Sequence, residues 1–273
     1  MNLFKTFALA SASALSMIGA ASAVTTVIPN SALTPSTTYY TDSIGGGLGT
    51  SSIMGRNDDG SSAIQNLGFS LNFFGVNYTH FYINNNGNVT FTGSLGSYTP
   101  VGPTGSPQPI ISPFFADVDT RSAASGLVYF RSDIANEVII TWDGVGYYDT
   151  HADKLDSFQL VLRSASYVLP VGEGSIGFFY KNMQWETGDA SGGTGGFGGS
   201  PAAVGFGDGS GNGEILQGSL HDGISRIVSN THIWFDANLV VVPPTPGVPE
   251  PESIALLGLG LAGLAVARRR QQA

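Results

Sequence analysis

An all-β fold, a β-sandwich of roughly nine or more mostly antiparallel strands, is what this sequence predicts, and three observations predict it. Short stretches alternate apolar and polar residues with the two-residue period of a half-buried strand, as in Phe69-Ser70-Leu71-Asn72-Phe73. The composition holds 38 glycines and 16 phenylalanines with only 11% charged residues, a mixture of turns and apolar strand faces. Between Val24 and Asn238 no segment repeats apolar residues at the 3.6-residue spacing of an amphipathic helix. Cysteine is absent, so a domain of about 220 residues must stand on its core without disulfides, which that length permits, and thiolate chemistry is excluded.

The elements follow in order. After Phe69–Phe73, the segments Phe81-Tyr82-Ile83 and Val89-Thr90-Phe91 flank Asn84-Asn85-Asn86-Gly87-Asn88, where Asn and Gly tolerate the left-handed backbone of a tight reversal; this is a hairpin. Ser94–Pro109, rich in Gly and Pro, is a surface loop. Further strands are expected at Ile110–Phe115, Leu127–Arg131, Glu137–Trp142, Asp156–Leu162, Ser175–Tyr180, Ala202–Phe206 and Thr231–Phe235. Gly188–Ser200, almost wholly small residues, is a second loop, and the Pro-rich stretch ending at Gly247 is a stiff linker rising about 3.1 Å per residue.

Both ends read as addresses. Lys5, the apolar stretch Phe7–Ile18 and the small residues Ala21-Ser22-Ala23 form a signal peptide, with cleavage expected after Ala23. Near the other end, Val248-Pro249-Glu250-Pro251-Glu252 is held extended by its prolines. An apolar run from Ser253 to Ala267 follows, then Arg268-Arg269-Arg270, which the positive-inside rule keeps cytoplasmic. As a helix at about 1.5 Å per residue the run spans about 22 Å against a hydrocarbon core of about 30 Å, which suits a temporary hold. The expected organisation is therefore a signal peptide (1–23), a lead-in (24–38), the sandwich (39–240), a linker (241–247) and a sorting segment (248–273) with a single transmembrane helix over 253–267.

Residues 248–273 resemble a PEP-CTERM sorting signal, with Val248, Pro249, Glu250 and Pro251 as the motif and Arg268, Arg269 and Arg270 as the membrane stop. That resemblance implies processing by an exosortase, a precursor held in the inner membrane of a Gram-negative bacterium, and a destination at the cell surface or in the extracellular matrix. A second resemblance covers about residues 39–230. Tyr82–Phe91, Ile111–Arg121, Gly126–Arg131, Ile140–Val145, Asp156–Leu162 and Met183–Gly188 look like successive motifs of the NIDO, or nidogen extracellular, domain. It implies cell–matrix adhesion and supplies no catalytic residues, so the chain is expected to be non-enzymatic. Phe115 stands where a tryptophan is usual.

The remaining polar clusters admit three functions. A net charge of −9 argues against nucleic acid or anionic lipid as a partner and for solubility and cations. In a continuing strand Asp117 and Asp119 would share one face, about 7 Å apart, as glycosidase carboxylates do; they could equally ligate calcium, or Asp119 could pair with Arg121 or Arg131 and tie a strand end. Trp142, Tyr147 and Trp185 are candidates for a sugar-binding surface. The three readings are a matrix or adhesion (biofilm) component meeting extracellular polysaccharide or matrix proteins, a carbohydrate-binding module, and a secreted glycoside hydrolase. Asn57-Asp58-Asp59-Gly60 reads as a turn, and Asp208-Gly209-Ser210-Gly211-Asn212-Gly213 as a Gly-rich hairpin, since the bidentate acid of an EF-hand is missing. His80, His151, His221 and His232 have no ligand spacing.

Overall fold

The computed structural model describes residues 24–41, 47–48 and 53–244. The signal peptide with Ala21 and Ala23, the sorting motif, the apolar run and the arginines all lie outside the described residues. Among the described residues no helix is long and apolar enough to cross a membrane.

Two mostly antiparallel sheets of seven strands form the expected sandwich. One contains β1 (Thr25–Ile28), β3 (Gln65–Phe73), β4 (Val76–Asn84), β5 (Asn88–Thr90), β6 (Pro109–Phe115), β12 (Ala203–Asp208) and β13 (Gly213–Leu216), in the order β1-β13-β12-β6-β5-β4-β3. The other contains β2 (Thr34–Pro35), β7 (Val118–Asp119), β8 (Leu127–Arg131), β9 (Glu137–Tyr147), β10 (His151–Arg163), β11 (Ile176–Tyr180) and β14 (Thr231–Phe235), in the order β2-β14-β11-β10-β9-β7, with β8 also on β9. β1 runs parallel to β13. A short helix, α1 (Ile224–Val228), packs Ile224 and Val228 into the core.

Alternation explains which sides face inward. Ile111 of β6, Ile83 of β4, Trp142 of β9 and Phe158 of β10 belong to one buried cluster, and Phe114 meets Phe158 across the sheets at 5.5 Å between ring centroids. β9 and the second half of β10 are buried on both faces because a second cluster covers the outside of their sheet: Ile139, Val161, Phe179 and Trp234 lie beneath Tyr39 and Tyr40.

Several strands run longer than periodicity indicated. β3 and β4 meet at Phe73 and Val76 across a two-residue turn, Phe74-Gly75, with φ of 50° and 78°. That left-handed pair sets a tight hairpin, and Phe74 accepts the strained conformation while its ring packs on Phe73 at 4.9 Å. The linker's first residues still belong to the sheet: Val241 bridges Phe235, and the Val242 amide donates to the Trp234 carbonyl at 2.8 Å.

Candidate functional site

The asparagine hairpin between β4 and β5 is a buried clamp. Asn84 Nδ2 donates to Asn88 Oδ1 at 2.8 Å and Thr90 Oγ1 at 3.0 Å, closing the turn on itself. Asn86 reaches outward in two directions: its Nδ2 donates to Asp59 Oδ1 at 2.8 Å, and its Oδ1 accepts from the Val118 amide at 2.9 Å. Asn85 Nδ2 donates to the Val118 carbonyl. Gly87, at φ +74°, lets the turn press against β6, because a Cβ there would lie 1.8 Å from the Phe114 carbonyl oxygen.

The clamp thus joins the Asn57–Gly60 turn to the segment after β6, far away in sequence. Asn57 Oδ1 accepts from the Gly60 amide at 2.8 Å, so the expected turn is present, and it is further held by Thr120 bonding the Asn57 backbone at 2.9 Å. Asp58, Asp59 and Asp117 converge there, with a carboxylate oxygen of each within 4.8 Å of the others. Asp117 is buried, Asp58 half-buried and Asp59 exposed. Burial, reinforced by the neighbouring aspartates, pushes Asp117 up to about 8 and Asp58 up to about 6.

Asp117 and Asp119 do not share a strand face. The chain turns sharply after Phe115, with the Val118 amide donating to the Ala116 carbonyl at 2.9 Å, so β6 ends before Asp117 and β7 is a separate strand on the other sheet. Asp119 instead takes Arg121 Nε at 2.9 and 3.0 Å, the Arg121 amide at 2.9 Å and the Thr150 amide at 2.8 Å. Burial pushes its carboxyl up, but these donors outweigh that and hold it below the usual carboxylate range. Of the two pairings considered for Asp119, Arg121 is the one present; Arg131 pairs with Asp133. Arg121 also reaches Asp58 at 3.2 Å and Asp149 at 3.1 Å. With both aspartates buried and one tied to a guanidinium, the acid/base pair of a glycosidase is not assembled.

The sugar-binding surface is corrected as well. Trp142, Tyr147 and Trp185 lie in the core at 0%, 1% and 0% exposure. Trp142 stacks on Phe158 at 5.1 Å and donates Nε1 to the Asn85 carbonyl at 2.9 Å, whereas Trp185 donates Nε1 to the Val145 carbonyl at 3.0 Å. The tryptophans satisfy their polar atoms internally and Tyr147 donates its hydroxyl to Asp153 at 2.9 Å, so no ring face is left for a ligand.

The Gly-rich hairpin joins β12 to β13, and the turn consumes the carboxylate of Asp208: Oδ1 accepts from the Ser210 and Asn212 amides, and Oδ2 from Asn212 Nδ2. Of the histidines, His151 pairs with Asp189 at 3.0 Å, and among the described residues none joins a convergent ligand group. Sequence reasoning missed Asp58 and Asp59 as partners of Asp117; the signal present was two adjacent acids in an Asx turn, which does not reveal what lies opposite.

The NIDO-related family profile matches residues 31–237, and the PEP-CTERM protein-sorting motif matches residues 247–270. Alpha-tectorin of Mus musculus is 32% identical over 206 residues, covering 64% of this chain and 9% of the tectorin, and alpha-tectorin of Homo sapiens is 31% identical over the same span. Nidogen of Drosophila melanogaster is 27% identical over 146 residues, covering 43% of this chain and 10% of the nidogen. The chain therefore spans about a tenth of the length of these relatives. No solved structure matches. A sorting motif that implies processing by exosortase, joined to a NIDO-related domain, points to an exported surface protein. The chain belongs to the NIDO-related family.

Proposed function

We propose that the protein is a non-enzymatic matrix or adhesion component of a Gram-negative cell surface. It is made with a cleaved signal peptide (1–23), held in the inner membrane by its apolar segment (253–267) until exosortase acts at Val248–Pro251, and then passed outward. There the domain, carried on its Pro-rich linker, contacts extracellular polysaccharide or matrix proteins and contributes to biofilm or matrix assembly. The observation that carries this reading is the order of parts: a NIDO-related domain over 31–237 followed directly by a sorting motif over 247–270. Burial of the candidate sugar-binding aromatics and the Arg121 partner of Asp119 favour it over a lectin and over a glycosidase.

The test is fractionation of host cells expressing a variant with Pro249 and Glu250 replaced by alanine. Full-length precursor should accumulate in the inner membrane, while the wild-type protein reaches the surface. A variant sorted to the outside as efficiently as wild type would contradict the role given to the motif.

A further inference from the structure

We propose that Asp58, Asp59 and Asp117 bind a divalent cation, calcium by preference, where the Asn57–Gly60 turn meets the end of β6. Three observations carry it. The first is convergence: the oxygens lie within 4.8 Å of one another, the separation of ligands on opposite sides of a calcium ion at about 2.3–2.6 Å each. The second is an unanswered acceptor. Asp117 is 1% exposed, yet its side chain takes no hydrogen bond, and its Oδ2 and Asp58 Oδ1 are both buried without a donor. A buried carboxylate oxygen in that state demands a proton or a cation.

The third is charge. Asp58, Asp119 and Asp149 share one guanidinium, Arg121, while Asp59 and Asp117 converge on Asp58 and add two further acids. Among the described residues no basic side chain pairs with Asp59 or Asp117. Arg56, next to the turn, spends its guanidinium on the carbonyls of Thr120, Ser122, Ala123 and Ser125. Gly188 closes the site behind Asp117, where a Cβ would lie 2.5 Å from Oδ2, and exposed Asp59 leaves the opposite side open to solvent.

The set is all hard oxygen, which suits calcium, and three carboxylates leave coordination places for water. Magnesium, which requires a near-ideal octahedron at about 2.0–2.1 Å and gives up water reluctantly, fits less well. Asp119, expected beside Asp117 as a ligand, is excluded by its bonds to Arg121 and Thr150. Bound there, the ion would fasten the turn to the β6–β7 junction.

The full chain, purified in mild detergent and stripped with chelator, is titrated with calcium chloride alone by calorimetry and by thermal melting. One saturable site is expected, with a rise in Tm of about 3–8 °C at about 10 mM calcium. Asp117→Asn and Asp59→Asn should each abolish both signals, while Asp208→Asn, in the distant hairpin, should keep them. Asp59 is exposed, so its variant should fold, which an unchanged chelator-treated Tm would verify, and it keeps the test decisive should Asp117→Asn prove unstable. Absence of saturable heat in the wild type, or calcium responses retained in the Asp59 variant, would overturn the proposal. Magnesium binding as tightly as calcium would overturn the stated preference.

Discussion

Arg163 and Glu137 form an ion pair from which solvent is wholly excluded, Nε donating to Oε2 at 2.7 Å with neither side chain exposed. They sit opposite each other in the β10–β9 register. The guanidinium also donates to Glu173 at 2.7 Å and to the Gly174 carbonyl at 3.0 Å, and it lies 4.3–4.6 Å from the rings of Tyr40, Tyr167 and Trp234.

Removing that cation leaves a buried carboxylate unpaired, and Glu137 Oε1 already lacks a donor. Arg163→Met should therefore cost about 3–5 kcal/mol in denaturant unfolding. The double variant with Glu137→Leu should recover much of that loss, because the stranded charge goes with it. Single and double variants of equal stability would refute this account.

Gly87→Ala tests the clamp's contact with β6. It combines a left-handed φ with a Cβ placed on the Phe114 carbonyl, so a loss of about 3 kcal/mol or more is expected. Gly75→Ala is the comparison: its φ is +78°, but nothing lies within 4 Å of the added carbon, so only the backbone penalty of about 1–2 kcal/mol applies. Urea midpoints of the two variants, measured side by side, should differ in that order.

Trp142→Phe separates core from binding surface. It removes the indole donor and leaves the buried Asn85 carbonyl without that hydrogen bond, a cost of about 1–3 kcal/mol, with no effect on retention by polysaccharide at temperatures where the fold persists. Retention lost by a fully folded variant would revive the ring as a ligand contact.

In chelator, stability should fall between about pH 4 and pH 8. Asp117 rises to about 8 and Asp58 to about 6 from 3.8, so over that window the folded chain keeps protons that the unfolded chain has released. Asp119 acts oppositely: its depressed carboxyl adds stability that is present above about pH 4 and lost as pH falls through its folded value. Asp117→Asn should flatten the decline on the alkaline side. Urea midpoints at about pH 5, 6.5 and 8 check it, and a wild-type midpoint that climbs across this range would contradict the assignment.

Much of the sandwich was legible because a strand period is local. Ile110–Phe115, Leu127–Arg131 and Thr231–Phe235 coincide with β6, β8 and β14 or fall within one residue of them, and the Asn84–Asn88 reversal announced its hairpin. Pairings set by distant partners were not legible. Thr25–Ile28 is too short and too exposed to read as a strand; it becomes one by lying against Gly213–Leu216. The site failed for the same reason. Alternation assumed that Asp117 and Asp119 continued β6, whereas the bend at Ala116 and the reach of Asn86 to Asp59 sent the two acids to different neighbours. Asparagine in a turn looks solvent-facing, and only tertiary contacts reveal Asn84, Asn85, Asn86 and Asn88 as buried.

The short stretch from Thr25 to Pro35 divides itself between the layers, β1 joining β13 and β2 joining β14. The first strands made must therefore wait for the last two: the β1 margin cannot zip shut before Leu216 has arrived, nor the β2 margin before β14 (Thr231–Phe235). A polypeptide threaded head-first through a pore would stay pliable for the whole passage and lock only once its tail end was delivered.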